Sequence, residues 1–236
     1  MIFDVLTIFP DLFDRFVNQS LIGKARKGRL IEINIHNLRD YCSDKHRQVD
    51  DAPYGGGPGM VLKPEPLFKA VKQIKKGWEK RNSTVLLSPQ GTPLNQAKVS
   101  DLAGFDRLLL ICGRYEGIDE RVQFLIDETV SIGDYVLNGG ELPAMVIMES
   151  VSRLLPGVLG DRESAARDSF SDGILDYPHY TRPAEYSGYK VPEILLSGDQ
   201  AEIARWRRRK ALQNTWRRRP DLLEKPDKSL SSEDRD

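Results

Sequence analysis

Two glycine-punctuated turns carry the strongest chemical signal in this chain: Cys112-Gly113-Arg114-Tyr115-Glu116-Gly117 and Ile132-Gly133-Asp134-Tyr135-Val136-Leu137-Asn138-Gly139-Gly140-Glu141-Leu142-Pro143. Each follows a short apolar run that reads as a buried strand. Glycines just past strand ends let a ligand approach the backbone closely, and such crevices are where α/β sheets bind small molecules. A tyrosine and an acid accompany each turn. There is no G-x-x-x-x-G-K-[ST] phosphate loop, and no G-x-G-x-x-G opens a helix after the first strand. The glycine-rich run Tyr54-Gly55-Gly56-Gly57-Pro58-Gly59-Met60 fits neither template. The pattern argues against a triphosphate or a dinucleotide. It leaves a ligand held by backbone amides and carbonyls, such as an adenosine-bearing cofactor.

The turns need a scaffold, and the surrounding sequence supplies one. Residues 2–8, 30–37, 84–87, 107–112 and 128–132 are β-branched or leucine-rich and bounded by turn residues, so they read as strands. Helical patterns lie between them at 11–17, 64–78, 95–102 and 119–125, with Pro64 and Pro66 near a helix start, where proline is tolerated. Alternation of this kind predicts an α/β domain with a largely parallel sheet and helices on both faces. Residues 141–155 then read as one apolar helix ended by Pro156-Gly157. We place a catalytic domain at 1–158, a linker at 159–180 and a small helical domain at 181–236. The main helix of that domain spans about 200–216, and a fraying tail follows Pro220.

The chain has 236 residues, and its formal net charge is zero. The distribution says more than the sum. Arg205, Arg207, Arg208, Arg209, Lys210, Arg217, Arg218 and Arg219 form a basic block near the C-terminus. A local patch sets the field that a phosphate backbone feels. No apolar stretch is long enough to cross a bilayer, and the N-terminus lacks the pattern of a signal peptide. Two cysteines without ligand spacing give neither a disulfide framework nor a metal site, so a cytoplasmic location is the expectation.

Beyond the two turns, further motifs run through the chain: Ser88-Pro89-Gln90-Gly91, the stretch from Asp50-Asp51-Ala52-Pro53 to Met60, Ile118-Asp119-Glu120-Arg121, and Leu175-Asp176-Tyr177-Pro178-His179-Tyr180-Thr181-Arg182-Pro183. Together with the turns they resemble the bacterial tRNA (guanine-N1)-methyltransferases, from the N-terminus to the basic helix. The resemblance implies a SPOUT-type fold, in which the cofactor loops are tied in a trefoil knot that general rules of chain topology would exclude. It implies S-adenosyl-L-methionine as methyl donor, held by Pro89, Gln90, Gly91, Gly113, Tyr115, Glu116, Ile132, Gly133, Asp134, Tyr135, Val136 and Leu137. Gly139, Gly140 and Pro143 would lie close by. It further implies a homodimer whose active sites are shared between subunits, acting on the tRNA anticodon stem-loop to methylate N1 of guanosine 37. No metal ligand cluster is visible, and magnesium would assist through the tRNA or near Glu116.

The chemistry explains why particular residues are needed. N1 of guanine carries a proton at neutral pH and is a poor nucleophile until that proton leaves. A carboxylate beside N1 can remove it, and an arginine facing O6 can stabilise the charge that develops. On the resemblance, Asp168 is the base and Arg153 the stabiliser; by type and position alone they are a linker acid and a helix-end cation. The arginine block suits phosphate contacts, with Trp206 and Trp216 read as core. Asp50, Tyr54, Asp176 and His179 are the candidates for contacts to the target guanine and its neighbours, which requires an extruded base. Two other readings are a SPOUT enzyme acting on another RNA base or a ribose, and an RNA-binding module without catalysis.

Overall fold

The computed structural model describes residues 1–78, 81–160 and 168–223. Residues 161–167 of the expected linker and nearly all of the charged tail lie outside the described residues. By internal packing the chain forms two units, Met1–Gly160 and Asp161–Asp236.

The first unit is built on five parallel strands in the order β2-β1-β6-β5-β7: β1 (Ile2–Thr7), β2 (Glu32–Asn37), β5 (Asn82–Pro93), β6 (Arg107–Cys112) and β7 (Glu128–Ser131). A two-stranded ribbon, β3 (Asp50–Asp51) with β4 (Val61–Leu62), stands apart from it. Side chains of a strand alternate between faces, and the apolar runs of β1, β5 and β6 supply both faces with core. Phe3, Val5, Val85, Leu87, Leu108, Leu110 and Cys112 belong to one buried cluster, which also takes in residues of α1 (Ser20–Lys27), α3 (Gln96–Ala103) and α4 (Glu141–Leu154). Leu6, Leu86, Leu109 and Ile111 pack with Leu67, Ala70, Val71 and Ile74 of α2 (Pro64–Ile74) on the other. The sheet is therefore covered by helices on both sides, as a parallel sheet must be.

Several local expectations are corrected. The 11–17 segment is not a helix. Phe13 and Val17, four apart, imitate a helical face, but they sit in separate 3-10 turns, Pro10–Phe13 and Phe16–Asn18. The helix comes after them, as α1. Residues 119–125 likewise form only a 3-10 turn, Glu120–Leu125, anchored by one buried side chain, Val122. The second helix stops at Ile74, short of residue 78.

Asp4 fixes the N-terminal end of the sheet. Its carboxylate is wholly buried, 2.5 Å from Arg107 Nε and 2.8 Å from His36 Nε2. Burial pushes the Asp4 pKa up, but the hydrogen bonds and charges of His36 and Arg107 outweigh it and hold the carboxyl below its ordinary value. A depressed folded-state pKa adds stability above the unfolded value of about 3.9, and that stability is lost as pH falls through the folded value. Asp4→Asn is expected to cost about 1.5–3 kcal/mol at neutral pH. The gap to the parent should close below about pH 4, as urea unfolding at stepped pH would show.

The second unit is organised by α5 (Gln200–Arg218), whose first turn is capped by Asp199 accepting from the amides of Ala201 and Glu202. A short ribbon, β8 (Glu185–Tyr186) with β9 (Tyr189–Lys190), precedes it. Leu175 N donates to Thr215 Oγ1 and Asn214 Nδ2 donates to the Asp176 carbonyl, tying the preceding segment to the helix. Trp206 is buried in this unit. Trp216, expected in the core, is 74% exposed instead, because it falls outside the helix face that buries Ile203, Trp206, Ala211 and Thr215.

Candidate active site

A cleft opens where residues 88–91 leave the β5 ladder and at the C-terminal end of β7, the side of the sheet where parallel strands place their ligands. Its walls include Leu87, Ser88, Pro89, Val130, Ser131, Ile132, Gly133, Tyr135, Leu137, Gly139, Gly140 and Pro143. Eight of these are residues expected to hold the cofactor. Gln90, Gly91, Gly113, Tyr115, Glu116, Asp134 and Val136 sit beside the cleft and do not line it. Leu87, Ser88, Val130 and Ser131 were missed; they are the strand ends themselves, and their apolar run was the available signal.

Backbone runs unusually close to backbone here. Val130 pairs with Leu87 and again with Thr92, so residues 88–91 leave the ladder between two contacts with one partner. A Cβ on Gly91 would lie 2.5 Å from the Thr129 carbonyl carbon, and one on Gly140 would lie 2.7 Å from Cys112 Cα. Neither neighbour is a side chain that can turn away. Gly140→Ala is expected to destabilise the protein by about 1–3 kcal/mol through overpacking, read as a lower urea midpoint at unchanged slope.

The turn at residues 113–117 is held from outside the cleft. Glu116 N donates to Met60 O, Leu62 N to Gly117 O and Asp119 N to Leu62 O. Tyr115 is left-handed at φ 58°, a strained state for a non-glycine residue that concentrates at functional sites. Beneath the turn lies a polar network that was also missed. Glu141, 2% exposed in the first turn of α4, receives Arg114 Nε at 3.1 Å on one oxygen and Thr7 Oγ1 at 2.7 Å on the other. Gly140 N donates to Gly113 O beside it. One buried carboxylate thus joins β1, the turn after β6 and the start of α4. Burial, reinforced by the Glu141 charge, pushes the Cys112 thiol well above its ordinary value, so it is not a nucleophile.

Of the other expected residues, Asp50 lies in the β3–β4 ribbon, paired opposite Leu62. Tyr54 is fully exposed at the tip of the following loop, and four glycines there, Gly55, Gly56, Gly57 and Gly59, have positive φ. Arg153 occupies the last turn of α4. Among the described residues no group of three metal-ligating side chains comes together.

In the second unit, Asp168 shares a cavity of about 180 Å³ with Asp172, Asp176, Tyr177, Arg207 and Arg208. Asp176 is its organiser. Its amide donates to Ser169 Oγ, and its carboxylate oxygens take Tyr177 N at 2.7 Å and His179 Nε2 at 2.8 Å. Two of the expected substrate contacts, Asp176 and His179, are therefore one hydrogen-bonded pair next to Asp168.

Comparison with known proteins agrees in one direction. A sequence model of the family described as tRNA (Guanine-1)-methyltransferase TrmD matches residues 1–225. A protein of Moorella thermoacetica named tRNA (guanine-N(1)-)-methyltransferase is 56% identical over 234 residues, covering 98% of this chain and 93% of the relative. The protein of that name from Sulfurihydrogenibium sp. is 57% identical over 231 residues, covering 98% and 90%. That from Geobacter sulfurreducens is 53% identical over 238 residues, covering 100% and 96%.

Proposed function

This chain belongs to the tRNA (guanine-1)-methyltransferase family, and from that premise we propose that it transfers a methyl group from S-adenosyl-L-methionine to N1 of guanosine 37 in tRNA. The observation that carries the reading is the near full-length family match. It is joined to a glycine-walled cleft at the strand ends. The cleft as it stands holds only about 40 Å³, but its lining is of the kind the donor needs: apolar Leu87, Val130, Leu137 and Pro143 can flank an adenine, and the close backbone offers amides and carbonyls instead of a phosphate cradle. When bound, the donor supplies an electrophilic methyl group on a sulfonium.

The rest is the work of side chains. Asp168 takes the N1 proton as general base, and the Arg153 guanidinium stabilises negative charge growing at O6. Asp50, Tyr54, Asp176 and His179 contact the target guanine and its neighbours, and the arginines of α5 meet the phosphates of the anticodon stem-loop. Gln90, Gly91, Gly113, Tyr115, Glu116, Asp134 and Val136 hold the donor together with the residues that line the cleft. Domain roles follow: residues 1–158 hold the donor, 159–180 link, and 181–236 bind tRNA.

We read the fold as the knotted SPOUT type. What supports this is the departure of residues 88–91 from the β5–β7 ladder, together with the near contact of Gly91 with the β7 backbone. We read the enzyme as a homodimer with active sites shared between subunits. Leu142 and Val146, one turn apart on α4, are 59% and 44% exposed, and Val136 is 85% exposed, apolar surface that a second copy would cover. Magnesium, if used, acts through the tRNA or near Glu116. A cytoplasmic location agrees with a tRNA substrate and two free thiols, and no described helix is long and apolar enough to cross a membrane.

The test is to map the methyl group on an unmodified tRNA transcript with guanosine at positions 36 and 37. The expected product is N1-methylguanosine at 37. Methyl on a ribose, on another base, or nowhere overturns the reading.

A further inference from the structure

We propose that the outer edge of β2, with the basic groove beside it, docks an extended acidic segment of a partner protein as a further strand of the sheet. The proposal goes beyond methyl transfer and does not depend on it. β2 ends the sheet, paired with β1 alone among the described residues. Glu32 N donates to Met1 O, and in a parallel ladder alternate residues direct their backbone groups to opposite sides. Glu32, Asn34 and His36 therefore face β1, while Ile33 and Ile35 direct N–H and C=O outward.

An open edge is usually blunted by shortness, lysine, proline or a bulge. The opposite edge, β7, is only four residues long. β2 has six, contains no lysine, proline or glycine, and runs against β1 without a break in register. The space beside it carries a sign. A cavity of about 700 Å³ between the end of α1 and the first half of β2 is lined by Arg26, Lys27 and Arg29 against one carboxylate, Glu32. Arg26 Nη1 donates to the Val17 carbonyl at 2.8 Å and to Asn18 Oδ1 at 3.0 Å, which fixes its charge at the wall. Lys27 and Arg29 are exposed and have no ion pair among the described residues.

These features select the occupant. Outward N–H and C=O groups are satisfied by another strand, the mode in which main-chain bonds give affinity and side chains give preference. The excess of cations selects acids at the strand's polar positions, and Leu30, 38% exposed, offers apolar contact between them. Nucleic acid fits less well, because no aromatic side chain lines the groove among the described residues and bases find no stacking platform. Met1, Ile2 and Ile31 place the groove at the N-terminal ends of the strands, away from the glycine-walled cleft. Docking therefore leaves that cleft free.

The test uses the full-length protein and a fluorescein-labelled ten-residue peptide alternating valine with glutamate. Saturable binding is expected, weakened about 10-fold or more when alternate peptide amides are N-methylated. The double charge reversal Lys27→Glu/Arg29→Glu should weaken it about 10-fold. Ile35→Pro replaces an outward N–H and leaves the β1 ladder whole, so it should weaken binding as much while methyl transfer continues at the parent rate. Amide exchange in the parent protein reads the same contact without any substitution. The Ile33 and Ile35 amides should slow by about 10-fold or more when peptide is added, and those of Glu32 and Asn34, already bonded to β1, should change less. Equal binding of the N-methylated peptide, or unchanged exchange at Ile33 and Ile35 at saturation, overturns the added strand. So does tighter binding of a ten-nucleotide RNA that the charge reversal abolishes, which would make the groove a phosphate-binding surface. Absence of peptide binding at about 1 mM removes the site altogether.

Discussion

Asp168→Ala is expected to lower the rate of methyl transfer by about 100- to 10,000-fold, the range of a lost general base. Donor binding should stay intact, because the glycine-walled cleft lies wholly within residues 1–160. Asp168→Asn separates two roles. Asparagine keeps the shape and a hydrogen bond but cannot take a proton, so a base demands a loss as large as that of alanine. The pH dependence gives an independent reading. Without Asp168 the N1 proton must leave to solvent, and residual activity should climb with pH as guanine itself deprotonates. An unchanged rate in single-turnover assays would remove Asp168 from the chemistry. Arg153→Ala should cost about 100- to 1,000-fold as the loss of a charge stabiliser. The double variant should lose less than the product of the two, because both act on one transition state.

The architecture was legible where the local signal and the tertiary environment agree. β1 and β6 are apolar runs because both faces of a parallel sheet are buried, and the glycines after β6 and β7 mark the ends where a cleft must open. β5 was legible only to residue 87. Ser88, Pro89, Gln90 and Gly91 carry every sign of a turn, yet the chain pairs again at Thr92 and Pro93. Proline and glycine argue against a strand interior, and only the partner strand's position brings the segment back. α1 was hidden for a related reason: Gly23 sits in its middle, pressed against the backbone of Asn18, where no larger residue fits. Asp168 shows the opposite limit. Residue type and spacing make it a solvated acid, and the role proposed for it rests on the longer motifs around it. The Asp176–His179 pair was within reach, since both were singled out, but the hydrogen bond joining them follows from the local fold.

The Thr7–Glu141–Arg114 network was beyond any reading of spacing. Thr7 is 134 residues from Glu141 in sequence, and Glu141 at a helix start looks like an ordinary partner for the helix dipole. In the fold its carboxylate is buried and shared, which makes the second large prediction. Arg114→Met leaves a buried charge with only the Thr7 hydroxyl, and should destabilise the 1–160 unit by about 3–5 kcal/mol. Glu141→Leu alone strands the Arg114 guanidinium, which is 21% exposed and can reach water, so its cost should be smaller. The double variant Arg114→Met/Glu141→Leu should recover most of the loss, because a buried ion pair contributes little net stability over an apolar pair of similar volume. Thermal unfolding of all four proteins gives the coupling directly, and additive losses would show that the pair is not the unit. Donor affinity should follow a different order. The backbones of the two glycine turns pair at Arg114–Gly139 and Gly113–Gly140, and the Arg114–Glu141 side-chain bond ties the same two turns a second time. An apolar replacement restores the packing energy without that directional side-chain bond. The double variant should therefore melt near the parent and still bind S-adenosyl-L-methionine about 10-fold or more weakly, as the loss of a positioning hydrogen-bonded pair predicts. If titration calorimetry finds donor affinity restored along with stability, the network serves the fold alone.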